Sequence, residues 1–212
     1  MIGLLGGTFD PIHFGHLRAA EELGERYGLD QVRLLPCRPG HRHSPIAPEA
    51  ERLAMTRLAA AGNPRLVVDD RDLRRAGPTY SIDTLRELRA EFGDTPLVLI
   101  MGMDAFAGLP GWKDWRRLIE LAHLLVAHRP GGHAALVPEL QTFLSEHQST
   151  DPKALADSPA GRVSLAPLTA LDISATRIRA LLAAGQSPRY LLPEPVLEHI
   201  ERLGLYRPAT SV

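Results

Sequence analysis

Short runs of branched apolar residues recur along the chain at Met1–Leu5, Gln31–Leu35, Leu66–Asp69, Leu97–Met101, His123–Ala127 and Arg162–Leu165, each bounded by Gly, Pro or charge. Runs of this length predict buried strands. Between them apolar positions fall three or four apart, as at Leu17, Ala20, Leu23 and Tyr27, or at Ala54, Leu58 and Ala61, which is the spacing of one helix face. Strands that alternate with helices imply right-handed βαβ crossovers, hence an α/β fold with a doubly wound parallel sheet and helices on both faces. Such sheets bind ligands beyond the carboxyl ends of their strands.

The pattern weakens over 131–161. One helical stretch, Leu136, Leu140 and Leu144, is followed by turn-rich sequence, and the segment reads as a surface insertion. Ser174–Ala184 and Pro195–Leu203 read as two helices, a small C-terminal helical portion within 174–207. No repeat or linker divides the 212 residues, so 1–212 is expected to be a single domain.

Composition narrows the function. With 24 Lys and Arg against 25 Asp and Glu, the chain has no global field that would gather nucleic acid or an anionic membrane. No apolar run approaches the length of a membrane span. A lone cysteine, Cys37, cannot form an intramolecular disulfide and fits a reducing compartment, so the expectation is cytoplasmic. Only Lys113 and Lys153 are lysines, and no glycine-rich turn is followed by Lys-Ser or Lys-Thr, so anion chemistry falls to arginines and histidines.

Two stretches concentrate that chemistry. Gly6-Gly7-Thr8-Phe9-Asp10-Pro11 follows the first strand, and His13-Phe14-Gly15-His16 opens the first helix. A glycine turn running into a helix N-terminus presents bare N–H groups and a positive dipole end to an anion. His13 and His16, three apart, would share one face and contact phosphate oxygens. The spacing also suits a metal, although no nearby carboxylate or cysteine completes a ligand set. Ile173-Ser174-Ala175-Thr176-Arg177-Ile178-Arg179 starts a helix after the last strand, with Ser174 as N-cap and Arg179 about one turn on. Plain capping with an exposed arginine accounts for this stretch equally well when it is taken alone. Together the two helix starts suggest one cleft gripping a phosphate chain from both ends.

These two stretches resemble the paired signatures of the nucleotidyltransferase superfamily related to class I aminoacyl-tRNA synthetases. Three more resemble bacterial nicotinate-nucleotide adenylyltransferases: Gly77 to Leu85, Met101-Gly102-Met103-Asp104 through Leu109-Pro110-Gly111-Trp112, and Leu192 to Val196 through Gly204-Leu205-Tyr206-Arg207. The resemblance implies a Rossmann-like fold and transfer of AMP from ATP to nicotinate mononucleotide, giving the deamido dinucleotide and pyrophosphate in NAD biosynthesis, without a covalent intermediate. Adenylyl transfer to phosphopantetheine and cytidylyl transfer are the related alternatives, and a non-catalytic nucleotide sensor is the alternative outside enzymes.

By the same resemblance His13, His16 and Arg179 are catalytic. Gly7, Thr8, Phe9, His16, Gly102, Asp104, Ser174, Thr176 and Arg179 bind ATP, with Asp104 on the ribose. A helix N-cap is the competing account of Asp104. His41, Arg42, Thr79, Tyr80, Ser81 and Trp112 meet nicotinate mononucleotide, with Trp112 stacking on the pyridine. Mg²⁺ is the expected cofactor, carried by ATP phosphates, with Asp10 the one weak protein candidate. Expected partners are the two substrates, with no nucleic acid and no membrane, and a homo-oligomer is compatible. One departure stands out: Pro36-Cys37-Arg38-Pro39-Gly40-His41-Arg42-His43 lacks the asparagines that relatives often carry there.

Overall fold

The computed structural model describes residues 1–38, 46–128, 135–169 and 171–207. Six parallel strands, β1 (Ile2–Gly7), β2 (Gln31–Pro36), β3 (Leu66–Val68), β4 (Leu97–Gly102), β5 (His123–His128) and β6 (Val163–Pro167), form one sheet in the order β3-β2-β1-β4-β5-β6. The order reverses between β1 and β4, which is the topological switch point of a doubly wound sheet. This is the expected Rossmann-like α/β architecture, with β6 running two residues beyond its predicted end.

Strand side chains alternate between two cores, as a period of two requires. Leu5, Val32, Leu34, Val98, Ile100, Leu125 and Ala166 face one side. There they meet α1 (Phe14–Tyr27), α2 (Glu49–Ala60), α8 (Ala175–Ala183) and α9 (Glu194–Leu203). Ile2, Leu4, Leu97, Leu99, Met101, Leu124, Val126 and Val163 face the other, against α4 (Ser81–Phe92), α5 (Met103–Ala107), α6 (Leu118–Leu121) and α7 (Pro138–His147). A short α3 (Arg71–Arg74) precedes α4.

The segment expected to be a surface insertion is revised by this packing. Its described part is the crossover from β5 to β6, and it buries Leu140, Phe143 and Leu155 in the two cores. Helix α7 carries its apolar positions three and four apart, so one side of it, with Leu140 and Phe143, packs into the second core. Among the described residues no helix is long and apolar enough to cross a membrane.

Candidate active site

The carboxyl ends of the strands at the switch point surround a cavity of about 480 Å³. Leu5, His13, Gly15, His16, Gly102 and Asp104 are in its wall, with Ile173 opposite. His13 is the N-cap of α1, and its backbone N–H donates to His16 Nδ1 at 3.3 Å. The three-residue spacing is therefore that of a capping box, with an imidazole in the place usually held by Glu or Gln. A neutral imidazole whose Nδ1 accepts carries its proton on Nε2, so His16 keeps one ring donor for a ligand.

The two rings stack with centroids 3.8 Å apart, and the edge of the Phe9 ring supports His16 at 5.1 Å. Burial lowers the His13 pKa to about 4, and burial together with repulsion from His13 lowers that of His16 to about 3. Both are neutral donors at physiological pH. His13 Nδ1 is buried and has no hydrogen-bond partner. A Cβ on Gly15 would lie 3.0 Å from the His13 ring, so a side chain there would displace the histidine. Of the first N–H groups of α1, Phe14 donates to the Leu191 carbonyl and His16 and Leu17 to that of His13. The Gly15 N–H keeps no backbone acceptor among the described residues and borders the cavity.

These depressed values carry a prediction for stability. Unfolding returns each histidine to about 6.5, so below that pH the unfolded chain binds protons that the native state refuses. Stability is therefore lost as pH falls from 7 toward 4, by up to about 2 kcal/mol per histidine between pH 7 and pH 5. Denaturant unfolding at the two pH values checks this, and the loss is expected to be smaller in His16→Ala.

The second signature is brought to the first. Ser174 Oγ caps α8 by accepting from the Arg177 N–H at 3.2 Å. Arg179 donates to the Asp10 carbonyl at 2.7 Å and to Thr176 Oγ1 at 3.3 Å. Ser174 and Thr176 thus have structural partners, and neither lines the cavity, which reaches this segment at Ile173.

Other expected ATP contacts divide. Gly102 is the N-cap of α5 and Asp104 lies within that helix, so Asp104 is not spent on capping and is exposed at the cavity. Gly7 and Phe9 pack on each other: a Cβ on Gly7 would come within 2.6 Å of the Phe9 ring. Phe9 is buried, and its side chain supports His16 from behind instead of lining the cleft. Thr8 offers its carbonyl to Arg52.

Of the residues expected to meet the mononucleotide, Thr79, Tyr80, Ser81 and Trp112 gather around the start of α4, and none of them lines the cavity. Thr79 Oγ1 accepts from the Arg38 N–H at 3.4 Å, at the start of the loop after β2. Tyr80 is the N-cap of α4, and Ser81 begins that helix. Lys113 sits 4.6 Å over the Tyr80 ring and bonds Asp83 at 3.0 Å, while Asp114 pairs with Arg86 at 3.2 Å. These contacts bring the half-buried Trp112 and its loop to the start of α4. His41 and Arg42 lie outside the described residues.

Asp10, the weak metal candidate, has its carboxylate engaged by other parts of the chain. Its carboxylate accepts from the N–H of Ile46 at 2.9 Å, from the N–H of Ala47 at 3.1 Å and from the Tyr206 hydroxyl at 2.7 Å. Beside this carboxylate the buried phenol is held far above its usual pKa, chiefly by desolvation. Asp10 is a buckle between the β1 turn, the entry to α2 and the chain's last described residues. Tyr206 and Arg52 are the side chains around this turn whose roles spacing alone does not reveal.

Comparison with known proteins agrees with this geometry. The cytidylyltransferase-like family matches residues 4–181. A protein of Aeromonas hydrophila named a probable nicotinate-nucleotide adenylyltransferase is 52% identical over 98% of each chain. One of the same name from Halorhodospira halophila is 50% identical over 97% of this chain and 94% of its own. In fold, the chain is similar to the solved structure of Plasmodium falciparum nicotinic acid mononucleotide adenylyltransferase complexed with NaAD, with a TM-score of 0.72 and 16% identity over 97% of this chain and 96% of that one. The chain therefore belongs to the cytidylyltransferase-like family and, within it, to the nicotinate-nucleotide adenylyltransferases.

Proposed function

We propose that this chain transfers the adenylyl group of ATP to nicotinate mononucleotide, forming nicotinate adenine dinucleotide and pyrophosphate, at the cleft between the ends of β1 and β4. The observation that carries this reading is the cleft itself: two stacked neutral histidines, a free Gly15 N–H and an exposed Asp104 around one cavity at the switch point. An oxygen of the mononucleotide phosphate attacks the α-phosphorus in line. The new P–O bond forms as the bond to the α,β-bridging oxygen breaks, and pyrophosphate leaves with that electron pair. No side-chain nucleophile is needed, because such transfers are accelerated by positioning and charge stabilisation.

In this mechanism His16 Nε2–H, His13 and the Gly15 N–H donate to oxygens of the triphosphate, and Arg179 turns from the Asp10 carbonyl toward the leaving pyrophosphate. Asp104 accepts from the ATP ribose hydroxyls. Mg²⁺ arrives as part of MgATP. Among the described residues no three His, Cys, Asp or Glu side chains gather as ligands, and Asp10 already accepts from three donors. Reliance on ATP and the lone Cys37 support a cytoplasmic setting.

The deciding experiment is Mg²⁺-dependent pyrophosphate release with ATP and, in parallel, nicotinate mononucleotide, nicotinamide mononucleotide or phosphopantetheine. Preference for the first is expected; preference for another acceptor overturns the substrate assignment, and silence with all three overturns the enzyme assignment. Trp112 has its own test. Trp112→Ala is expected to raise KM for nicotinate mononucleotide by about tenfold, corresponding to about 1.4 kcal/mol of lost stacking, with KM for ATP little changed. An unchanged KM for the mononucleotide would contradict stacking.

A further inference from the structure

Arg52, on the first turn of α2, is fully buried. Its Nη1 donates to the carbonyls of Thr8 and of Cys37, the latter at 2.9 Å, while Nε and Nη2 are buried without an acceptor. No carboxylate accepts from it among the described residues. Glu49, three residues earlier on the same helix, spends both oxygens on Arg38, at 2.6 and 2.8 Å. A guanidinium cannot escape burial by losing its proton, and a buried cation that no carboxylate bonds directly is costly, although Glu49 acts on it through space. The charge alone gives stability little reason to keep an arginine here.

The two carbonyls supply one. Thr8 lies in the turn after β1, and Cys37 opens the loop after the neighbouring β2, where its N–H donates to the Gly7 carbonyl at 3.0 Å. Through Nη1 alone the guanidinium therefore ties together two loops at the carboxyl edge of the sheet. Because a peptide unit is planar and trans, a Thr8 carbonyl aimed at Arg52 sends the following N–H, that of Phe9, the opposite way.

We propose that Arg52 is a positioning residue of the transfer reaction, holding the β1 turn and the β2 loop in one arrangement through the Thr8 and Cys37 carbonyls. This inference rests on adenylyl transfer at the cleft described above.

The test compares wild type with Arg52→Met and Arg52→Lys by thermal melting, by calorimetric titration with MgATP in the absence of acceptor, and by steady-state kinetics. Arg52→Met is expected to stay folded and melt only modestly lower, because the loss of a donor to two carbonyls is offset by removal of a buried charge, while kcat/KM falls by at least about 30-fold. Arg52→Lys, whose single nitrogen can donate to both carbonyls, is expected to recover at least about threefold in kcat over Arg52→Met while binding MgATP within about threefold of wild type. A folded Arg52→Met enzyme with kcat/KM within threefold of wild type overturns the proposal. So does an Arg52→Lys enzyme with a kcat no higher than that of Arg52→Met. If Arg52→Met does not fold, Arg52→Gln, which removes the charge and keeps one donor, takes its place. A wild-type protein inactive with ATP and every acceptor overturns the functional reading instead, whatever the variants do.

Discussion

His16→Ala is expected to lower kcat by about 10²- to 10³-fold, the cost typical of removing one preorganised donor from a site where charge develops, or about 3–4 kcal/mol of barrier. The role follows from the geometry around the ring. Its Nδ1 is occupied by the His13 N–H, so Nε2 carries the proton, and the Phe9 edge and the His13 face hold the ring in one orientation. A donor fixed before the substrate arrives needs no reorganisation when negative charge grows on the α-phosphate. Folding should survive, because the substitution removes one capping bond worth about 1 kcal/mol and relieves no packed core position. Circular dichroism establishes that the variant is folded, and steady-state pyrophosphate release gives kcat. His16→Gln, whose amide nitrogen reaches toward the place of Nε2, is expected to recover part of the loss. A folded His16→Ala enzyme with near-normal kcat would falsify the assignment.

What could be read before the structure, and what could not, divides by the range of the interactions. The six strands announce themselves because a doubly covered sheet needs continuous apolar runs, and α1 because its apolar stripe extends over 14 residues. Helices α3 and α5, of four and five residues, are too short to show a period. The 131–161 segment misleads because turn-forming residues surround it, while the burial of Leu140 and Phe143 depends on partners elsewhere in the chain. At the site, the glycine turn and the two histidines are local and visible, but their state is not. That both imidazoles are neutral comes from burial, and burial is a property of the fold. Phe9 likewise looks like part of a cleft wall until its ring is seen behind His16.

The long-range ties around Asp10 are the clearest case of what spacing conceals, and they set the largest expected effect on stability. Asp10→Ala removes one acceptor group from three donors, the N–H of Ile46, the N–H of Ala47 and the Tyr206 hydroxyl, which lie up to 196 residues away. Each buried donor left unsatisfied costs about 1–3 kcal/mol, partly offset because a buried carboxylate no longer has to be desolvated. The net expectation is a loss of about 3–5 kcal/mol, a large share of the 5–15 kcal/mol typical of a domain. Tyr206→Phe removes only one donor and leaves Asp10 with both backbone partners, so about 1–2 kcal/mol is expected. The double variant should cost less than the sum of the two, because in it the phenol hydroxyl orphaned by Asp10→Ala is itself gone. Equilibrium denaturant unfolding of the four proteins measures all three quantities. If Tyr206→Phe costs as much as Asp10→Ala, or if the two losses simply add, Asp10 is not the shared acceptor that joins the catalytic turn to the C-terminal segment.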